Sequence, residues 1–194
     1  MKKKVAVVLF NLGGPDKLSA VKPFLFNLFY DPAIISAPRP LRYLLAKFIS
    51  TKREKTAREI YSHLGGRSPI LELTKLQAKQ LEKMLEKEND DYRVFVSMRY
   101  WRPLPQETLK EVINWAPDES ILLPLYPQYS STTSGSSLYS WKKETEKQLF
   151  SIPTKTICCY PESKKFILAH VKSVKKILTQ VKLKYNSLSN TILL

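Results

Sequence analysis

Six consecutive apolar residues, Val5 to Phe10, follow Met1-Lys2-Lys3-Lys4 and stop at Asn11-Leu12-Gly13-Gly14-Pro15. A short unbroken apolar run closed by a glycine turn reads as a strand buried on both faces, as in a parallel sheet. The run is too short for a secretory signal and lacks a small-residue cleavage site. Similar runs recur at Tyr92 to Met98, Ile121 to Leu125 and Ile152 to Cys159. Between them the spacing turns helical. Lys17 to about Tyr30 carries Leu18, Val21, Leu25, Leu28 and Phe29, with Asp16 as a candidate cap and Pro23 bending or delaying the helix. Ser68 fits an N-cap and Pro69 a first helical position for a helix to about Glu88, with Leu73, Leu76, Leu81, Met84 and Leu85 inward. Pro105 to Trp115 packs Leu109, Val112 and Ile113, and Leu138 to Phe150 forms the next helix. Ser163 to Lys184 carries a stripe at Ile167, Val171, Val174, Leu178 and Val181. Thr191-Ile192-Leu193-Leu194 opens a further strand. Strands alternating with helices predict an α/β fold with a Rossmann-like parallel sheet flanked by helices.

Two segments do not fit plain alternation. Phe24 and Phe26 lie off their helix's stripe, and a second apolar patch follows at Leu41, Leu44, Leu45, Phe48 and Ile49. Arg39, Arg42, Lys47, Lys52 and Arg53 interleave with it. Apolar groups rimmed by cations suit a membrane interface or an amphipathic ligand pocket, and a core excursion is the alternative. The other segment is Leu125 to Ser137, where every residue from Ser130 to Ser137 except Gly135 carries a hydroxyl. Pro124, Tyr126, Pro127 and Tyr129 stiffen its approach, unlike a flexible linker. A strand opening into a rigid polar turn and then a helix is where open α/β sheets place ligands.

The 194 residues carry a net charge of +15, and seven lysines fall after Pro161 against only Glu162. The balance favours an anionic partner, or is a lysine-rich bias of the surface. No Arg-rich recognition helix, zinc-finger spacing or RNA-binding motif accompanies it, so no nucleic-acid partner is expected. No run approaches the ~18 apolar residues that span a bilayer. Cys158 and Cys159 are adjacent, which gives neither a disulfide framework nor metal-ligand spacing and suits a reducing compartment. They read as small apolar fillers at a strand end. Gly13-Gly14 lacks the remaining features of a dinucleotide fingerprint, and no P-loop or nucleophile elbow is present. His63 and His170 are far apart, and His170 sits on a Lys-rich helix as an ordinary surface side chain.

Five motifs taken in order are more specific. They are Asn11-Leu12-Gly13-Gly14-Pro15, Leu28-Phe29-Tyr30-Asp31 with Ile34-Ile35, Tyr61-x-x-Leu64-Gly65-Gly66-x-Ser68-Pro69, Met98-Arg99-Tyr100-Trp101-x-Pro103, and the run from Leu125 to Ser137. Together they resemble the bacterial type of ferrochelatase over essentially the whole chain. The resemblance implies two similar chelatase-like domains with a porphyrin between them, residues 1–160 forming the first and 161–194 beginning the second. It implies insertion of ferrous iron into protoporphyrin IX to give protohaem, with Fe2+ and protoporphyrin as substrates and no tightly bound cofactor. It places Leu12 against the macrocycle face, Arg53 with its neighbour Lys52 on a propionate, Tyr61 and Ser68 around the Gly-Gly turn, and Tyr126, Ser131 and Thr132 on the opposite wall. Phe24, Leu25, Phe26, Phe29, Leu41, Leu44 and Leu45 resemble the family's lip for a membrane-partitioned substrate. A cytoplasmic location with peripheral contact at the inner membrane follows from the same resemblance. Leu64 and Arg67 depart mildly from the family's commoner residues. The metal-handling histidine and its partner glutamate are expected beyond Leu194, so the chain itself is expected to carry no catalytic residue and little activity. The chain stops inside an apolar run without cap or polar tail, which reads as a cut. The competing reading is a truncated product that binds porphyrin or haem without chemistry.

Overall fold

The structure is a computed structural model that describes residues 2–191, with the backbone alone from 182 onward. Four parallel strands, β1 (Lys4–Asn11), β2 (Asp91–Met98), β3 (Glu119–Pro124) and β4 (Thr154–Thr156), form one sheet in the order β2-β1-β3-β4. β1 pairs with β2 and β3 at once, from Val7 opposite Val94 and Ile121 to Phe10 opposite Ser97 and Pro124. Flanked on both edges and both faces, it buries all of Val5 to Phe10, which is why that run has no polar alternation. The chain leaves β1 towards β2 and returns across it to β3, so the strand order reverses between β1 and β3. That reversal opens a crevice at the carboxyl ends of these two strands.

Helices cover the sheet as their apolar spacing allows. α3 (Ile70–Leu85) lies against Val7 and Leu9 through Ala78, Leu81 and Leu85. α4 (Pro105–Trp115) and α5 (Ser136–Lys147) cover the other face, where Leu109, Val112 and Trp141 meet Ala6, Val8 and Phe10. α1 (Val21–Phe29) follows a short 3-10 turn at Leu18–Ala20, the delayed start that Pro23 suggested. It pairs closely with α2 (Arg39–His63), whose buried residues Ala46 and Ser50 are small enough to let the helices approach.

Several sequence expectations are corrected. Asp16 makes no capping hydrogen bond. The inward face of α3 is Thr74 and Ala78 with Leu71, Leu81 and Leu85, while Leu73, Leu76 and Met84 are exposed. α3 also begins one residue later than expected, after Pro69, and Ser68 Oγ accepts only a long 3.4 Å bond from Ile70 N–H. β4 is three residues long, and Cys158 and Cys159 are exposed rather than packed. α6 (Lys164–Thr191) includes Thr191, and the strand expected at Ile192-Leu193-Leu194 lies outside the described residues. The α6 stripe at Ile167, Val171, Val174, Leu178 and Val181 is exposed. By contacts the chain divides into two compact units, Met1–Cys158 and Cys159–Leu194.

Candidate functional site

Because the strands are parallel, the turns after β1, β2 and β3 leave the sheet at one edge, and the backbone ladder continues into them. Arg99 N–H donates to Asn11 O at 2.9 Å, Tyr100 N–H to Leu12 O at 3.0 Å, and Leu125 N–H to Phe10 O at 2.9 Å. The Asn11 side chain accepts from Leu12 N–H and donates to Thr74 Oγ1 at 3.0 Å, tying the first turn to α3. Gly13 holds φ +82°, and a Cβ there would stand 3.0 Å from Trp101 N. A Cβ on Gly14 would stand 2.5 Å from Ser68 Cβ and Oγ, so only glycine lets the turn preceding α3 close onto β1. Ser68 N–H completes that contact by donating to Pro15 O at 2.8 Å. The turns converge on one region.

Beside them, α1 and α2 enclose a hollow of about 830 Å³, a volume that suits a small-molecule ligand. Phe24 and Leu25 form its floor, Phe48, Ile49 and Ile60 its apolar wall, and Lys52, Arg53 and Tyr61 its polar fittings. Arg53 and Lys52 are exposed, and neither enters an ion pair among the described residues. Lys52 Nζ sits 6.0 Å above the Phe48 ring. Burial raises the Tyr61 phenol pKa, keeping it a neutral donor. Leu12, Ala57 and Tyr61 pack on one cluster with Val21, Phe24, Leu25 and Tyr100, which joins the hollow to the strand-end turns.

Behind that cluster lies a buried polar network. Asp31 Oδ2 accepts from Arg99 Nη2 at 2.7 Å, from Tyr100 Oη at 2.8 Å and from Ser136 Oγ, while Oδ1 accepts from Ala33 N–H at 2.8 Å. Arg99 Nε also donates to Ser136 Oγ at 2.6 Å. Burial alone would push the Asp31 carboxyl up, but hydrogen bonds from Ser136 and Ala33 N–H, the Arg99 charge and the Tyr100 hydroxyl outweigh it and hold the pKa below the ordinary range. Burial, reinforced by Asp31, pushes the Tyr100 phenol well up. Tyr126 is pushed up to about 12 by burial, partly offset by the nearby Ser137 hydroxyl and Arg99. Among the described residues, neither Tyr126 Oη nor Ser137 Oγ meets a partner in hydrogen-bonding geometry.

The ferrochelatase family profile matches residues 4–194. The chain is 56% identical over 174 residues to a ferrochelatase of Wolbachia sp. subsp. Drosophila simulans (strain wRi), covering 89% of this chain and 55% of that one. It is 52% identical over 176 residues to a ferrochelatase of Rickettsia bellii (strain OSU 85-389), covering 90% and 49%, and 51% over 181 residues to one of Pelagibacter ubique (strain HTCC1062), covering 92% and 53%. The chain belongs to the ferrochelatase family. It spans about half the length of the curated relatives it matches.

The residues singled out by resemblance to ferrochelatase fall in several environments. Lys52, Arg53 and Tyr61 share the α1–α2 hollow with Phe24 and Leu25. Leu12 joins them through the common cluster, and Ser68 abuts Gly14. Tyr126 is half-buried near Ser137 and Arg99. Ser131 is exposed and Thr132 half-buried in a π-helical turn, Ser131–Gly135, where Thr132 Oγ1 bonds Ser130 Oγ at 2.9 Å. Neither of these two lines the hollow. The expected lip is divided. Phe24 and Leu25 are core residues, because α1 turns that side onto α2 and Tyr100. Phe26 stacks on Tyr30 at 5.5 Å and meets Tyr43 edge-on, and Phe29 packs partly buried on the same cluster. Leu45 is half-buried, whereas Leu41 and Leu44 are 50% and 62% exposed. Asp31, Arg99, Tyr100 and Ser136 had no role read from sequence, although all four stood within the family motifs. Nothing in their spacing signals that residues 31, 99 and 136 meet, since only the parallel crossovers bring them together.

Proposed function

We propose that this chain supplies the tetrapyrrole-holding part of an enzyme of haem biosynthesis that inserts ferrous iron into protoporphyrin IX. The observation that carries this reading is the α1–α2 hollow, which combines apolar walls with two cations, Lys52 and Arg53, that enter no ion pair among the described residues. A porphyrin is a flat apolar disc with two carboxylates, and it needs this pairing of surfaces. In this reading Arg53 and Lys52 bind a propionate, and Leu12 and Tyr61 bound the macrocycle near the strand-end turns. Tyr126, Ser68, Ser131 and Thr132 belong to the polar wall. Leu41 and Leu44, with Phe48, face outward as a contact for a membrane from which the substrate is drawn. Location in the cytoplasm with peripheral attachment accords with this. No helix among the described residues is long and apolar enough to cross a membrane.

Metallation exchanges two pyrrole protons for Fe2+ and releases both protons, so it needs a base facing the ring centre. His63 is exposed and does not line the hollow, and His170 is exposed with its Nδ1 3.0 Å from Phe166 O on its own helix. We therefore expect the 194-residue chain to bind protoporphyrin without sustained iron insertion. The test is absorbance titration with protoporphyrin IX, run beside a steady-state assay for the iron product. Saturable binding is expected, with Arg53→Ala weakening it about tenfold, in the range of one lost charge-assisted hydrogen bond. Unchanged affinity in Arg53→Ala together with Lys52→Ala would refute the propionate assignment. Sustained turnover would refute the inactivity of this chain.

A further inference from the structure

A second hollow, of about 470 Å³, lies where the end of α1, the first turn of α2 and the middle of α5 meet. It shares no lining residue with the α1–α2 hollow. Four cations line it, Arg39, Arg42, Arg99 and Lys143, against a single carboxylate, Asp31. That carboxylate is already occupied by Arg99, Tyr100, Ser136 and the Ala33 N–H. Arg99 is thereby neutralised, and Arg39, Arg42 and Lys143 remain without an ion pair among the described residues.

Arg42 is not a loose surface side chain. Its Nη1 donates to Ala37 O at 2.8 Å, its guanidinium lies over the Tyr30 ring at 5.3 Å, and its Nε is buried without a hydrogen-bond partner among the described residues. Such a guanidinium is held in place with donors to spare, the condition for bidentate recognition of an oxyanion. Lys143 Nζ is held near the same region, 4.6 Å over the Tyr139 ring. Three like charges around one concavity repel unless an anion lies among them, and a concave wall strengthens the field they share. An excess of three positive charges suits a phosphate better than a single carboxylate.

We propose that this hollow binds a phosphate-bearing anion, with Arg42 as the fixed fork and Arg39 and Lys143 as the flanking charges. The phosphoryl group can come from a soluble phosphate compound or from a phospholipid headgroup, because exposed Leu41 and Leu44 stand in the same turns of α2 as Arg39 and Arg42. The site stands on its own lining residues and does not depend on tetrapyrrole binding.

The test is titration of the purified chain with inorganic phosphate, followed by phosphorus NMR, beside sedimentation with phosphatidylcholine vesicles doped with phosphatidylglycerol. The chain is compared with Arg39→Ser/Lys143→Ser. The control is Lys87→Ser/Lys110→Ser, which removes the same charge from exposed positions elsewhere. Arg42→Lys keeps the charge but gives up the fork. Phosphate binding is expected to weaken about tenfold or more in the Arg39/Lys143 variant, little in the control, and measurably in Arg42→Lys. Vesicle binding lost in the same variant and competed by phosphate would identify a headgroup. Phosphate binding without charge-specific vesicle binding would identify a soluble compound. If the Arg39/Lys143 variant matches the control in both arms, or if the chain takes up neither phosphate nor vesicles, the proposal fails.

Discussion

Asp31 accepts four hydrogen bonds from groups spread over more than a hundred residues of chain, and its side chain is almost wholly buried. Such a carboxylate joins the segment after α1, the turn after β2 and the start of α5 only while it is charged. Its folded pKa lies below the ordinary value, so between the two values the unfolded chain binds more protons than the folded one. The stabilisation is therefore fully present above the unfolded value, about 3.9, and fades as pH falls through the depressed folded value. Asp31→Ala leaves Arg99 without its partner and is expected to cost about 3 kcal/mol at pH 7. Urea unfolding at pH 7 and below pH 4 checks it: the gap between wild type and variant should narrow in acid. An equal gap at both would show that packing, rather than charge, holds these segments together. Tyr126 poses the opposite case. Its hydroxyl is buried with no hydrogen-bond partner among the described residues, which costs stability unless a bound group uses it.

At the scale of elements, α4 was legible in full because every local signal agreed: Pro105 opens the helix, Glu107 Oε2 accepts from Leu104 N–H at 2.8 Å, and Leu109 and Val112 fall on one buried face. β1 was legible for the same reason. α3 was misread because its leucines can be grouped into more than one stripe, and the correct face uses Thr74 and Ala78, small residues that a hydrophobic pattern underweights. α2 was missed as a single helix of 25 residues because prolines and charges interrupt its pattern, yet Pro38 is its cap and Pro40 lies in its first turn, where no donor is lost. Its helical course is what puts Lys52, Arg53 and Tyr61 along one hollow. Two helix ends are locally unfavourable, with Ala116 after α4 and Leu149 after α5 at positive φ. Ala116, after α4, sits in the left-handed region at φ +52° and is exposed, so its methyl brings strain with little packing. Ala116→Gly is expected to stabilise by about 0.5–1 kcal/mol, read as a higher urea midpoint with unchanged slope. A lower midpoint would mean that the glycine's added freedom in the unfolded chain outweighs the relieved strain.

For the molecule as a whole, a charge of +15 gives attraction to any anionic surface but no preferred face. The outer side of α2 supplies one. Leu41, Leu44 and Phe48 are exposed at helical spacing, with Phe48 64% exposed, and Lys47, Lys52 and Lys55 stand exposed along the same stretch. This arrangement suits a membrane interface, where apolar side chains are buried while lysines meet anionic headgroups. The two contributions separate experimentally. Salt screens the lysines and leaves the apolar contact, so binding to phosphatidylglycerol vesicles should weaken with salt yet retain a residue that neutral vesicles also show. Leu44→Ser/Phe48→Ser leaves the charge intact and removes two side chains that stabilise an interface by about 1.5–3 kcal/mol each when fully buried. Allowing for partial burial, vesicle affinity should fall about tenfold or more, with its salt dependence kept. Phosphate binding at Arg39, Arg42 and Lys143 should be untouched by the same pair of substitutions, because neither residue lines that hollow. Vesicle affinity that survives the loss of Leu44 and Phe48 would reduce the membrane contact to general electrostatics and leave the outer face of α2 without that role.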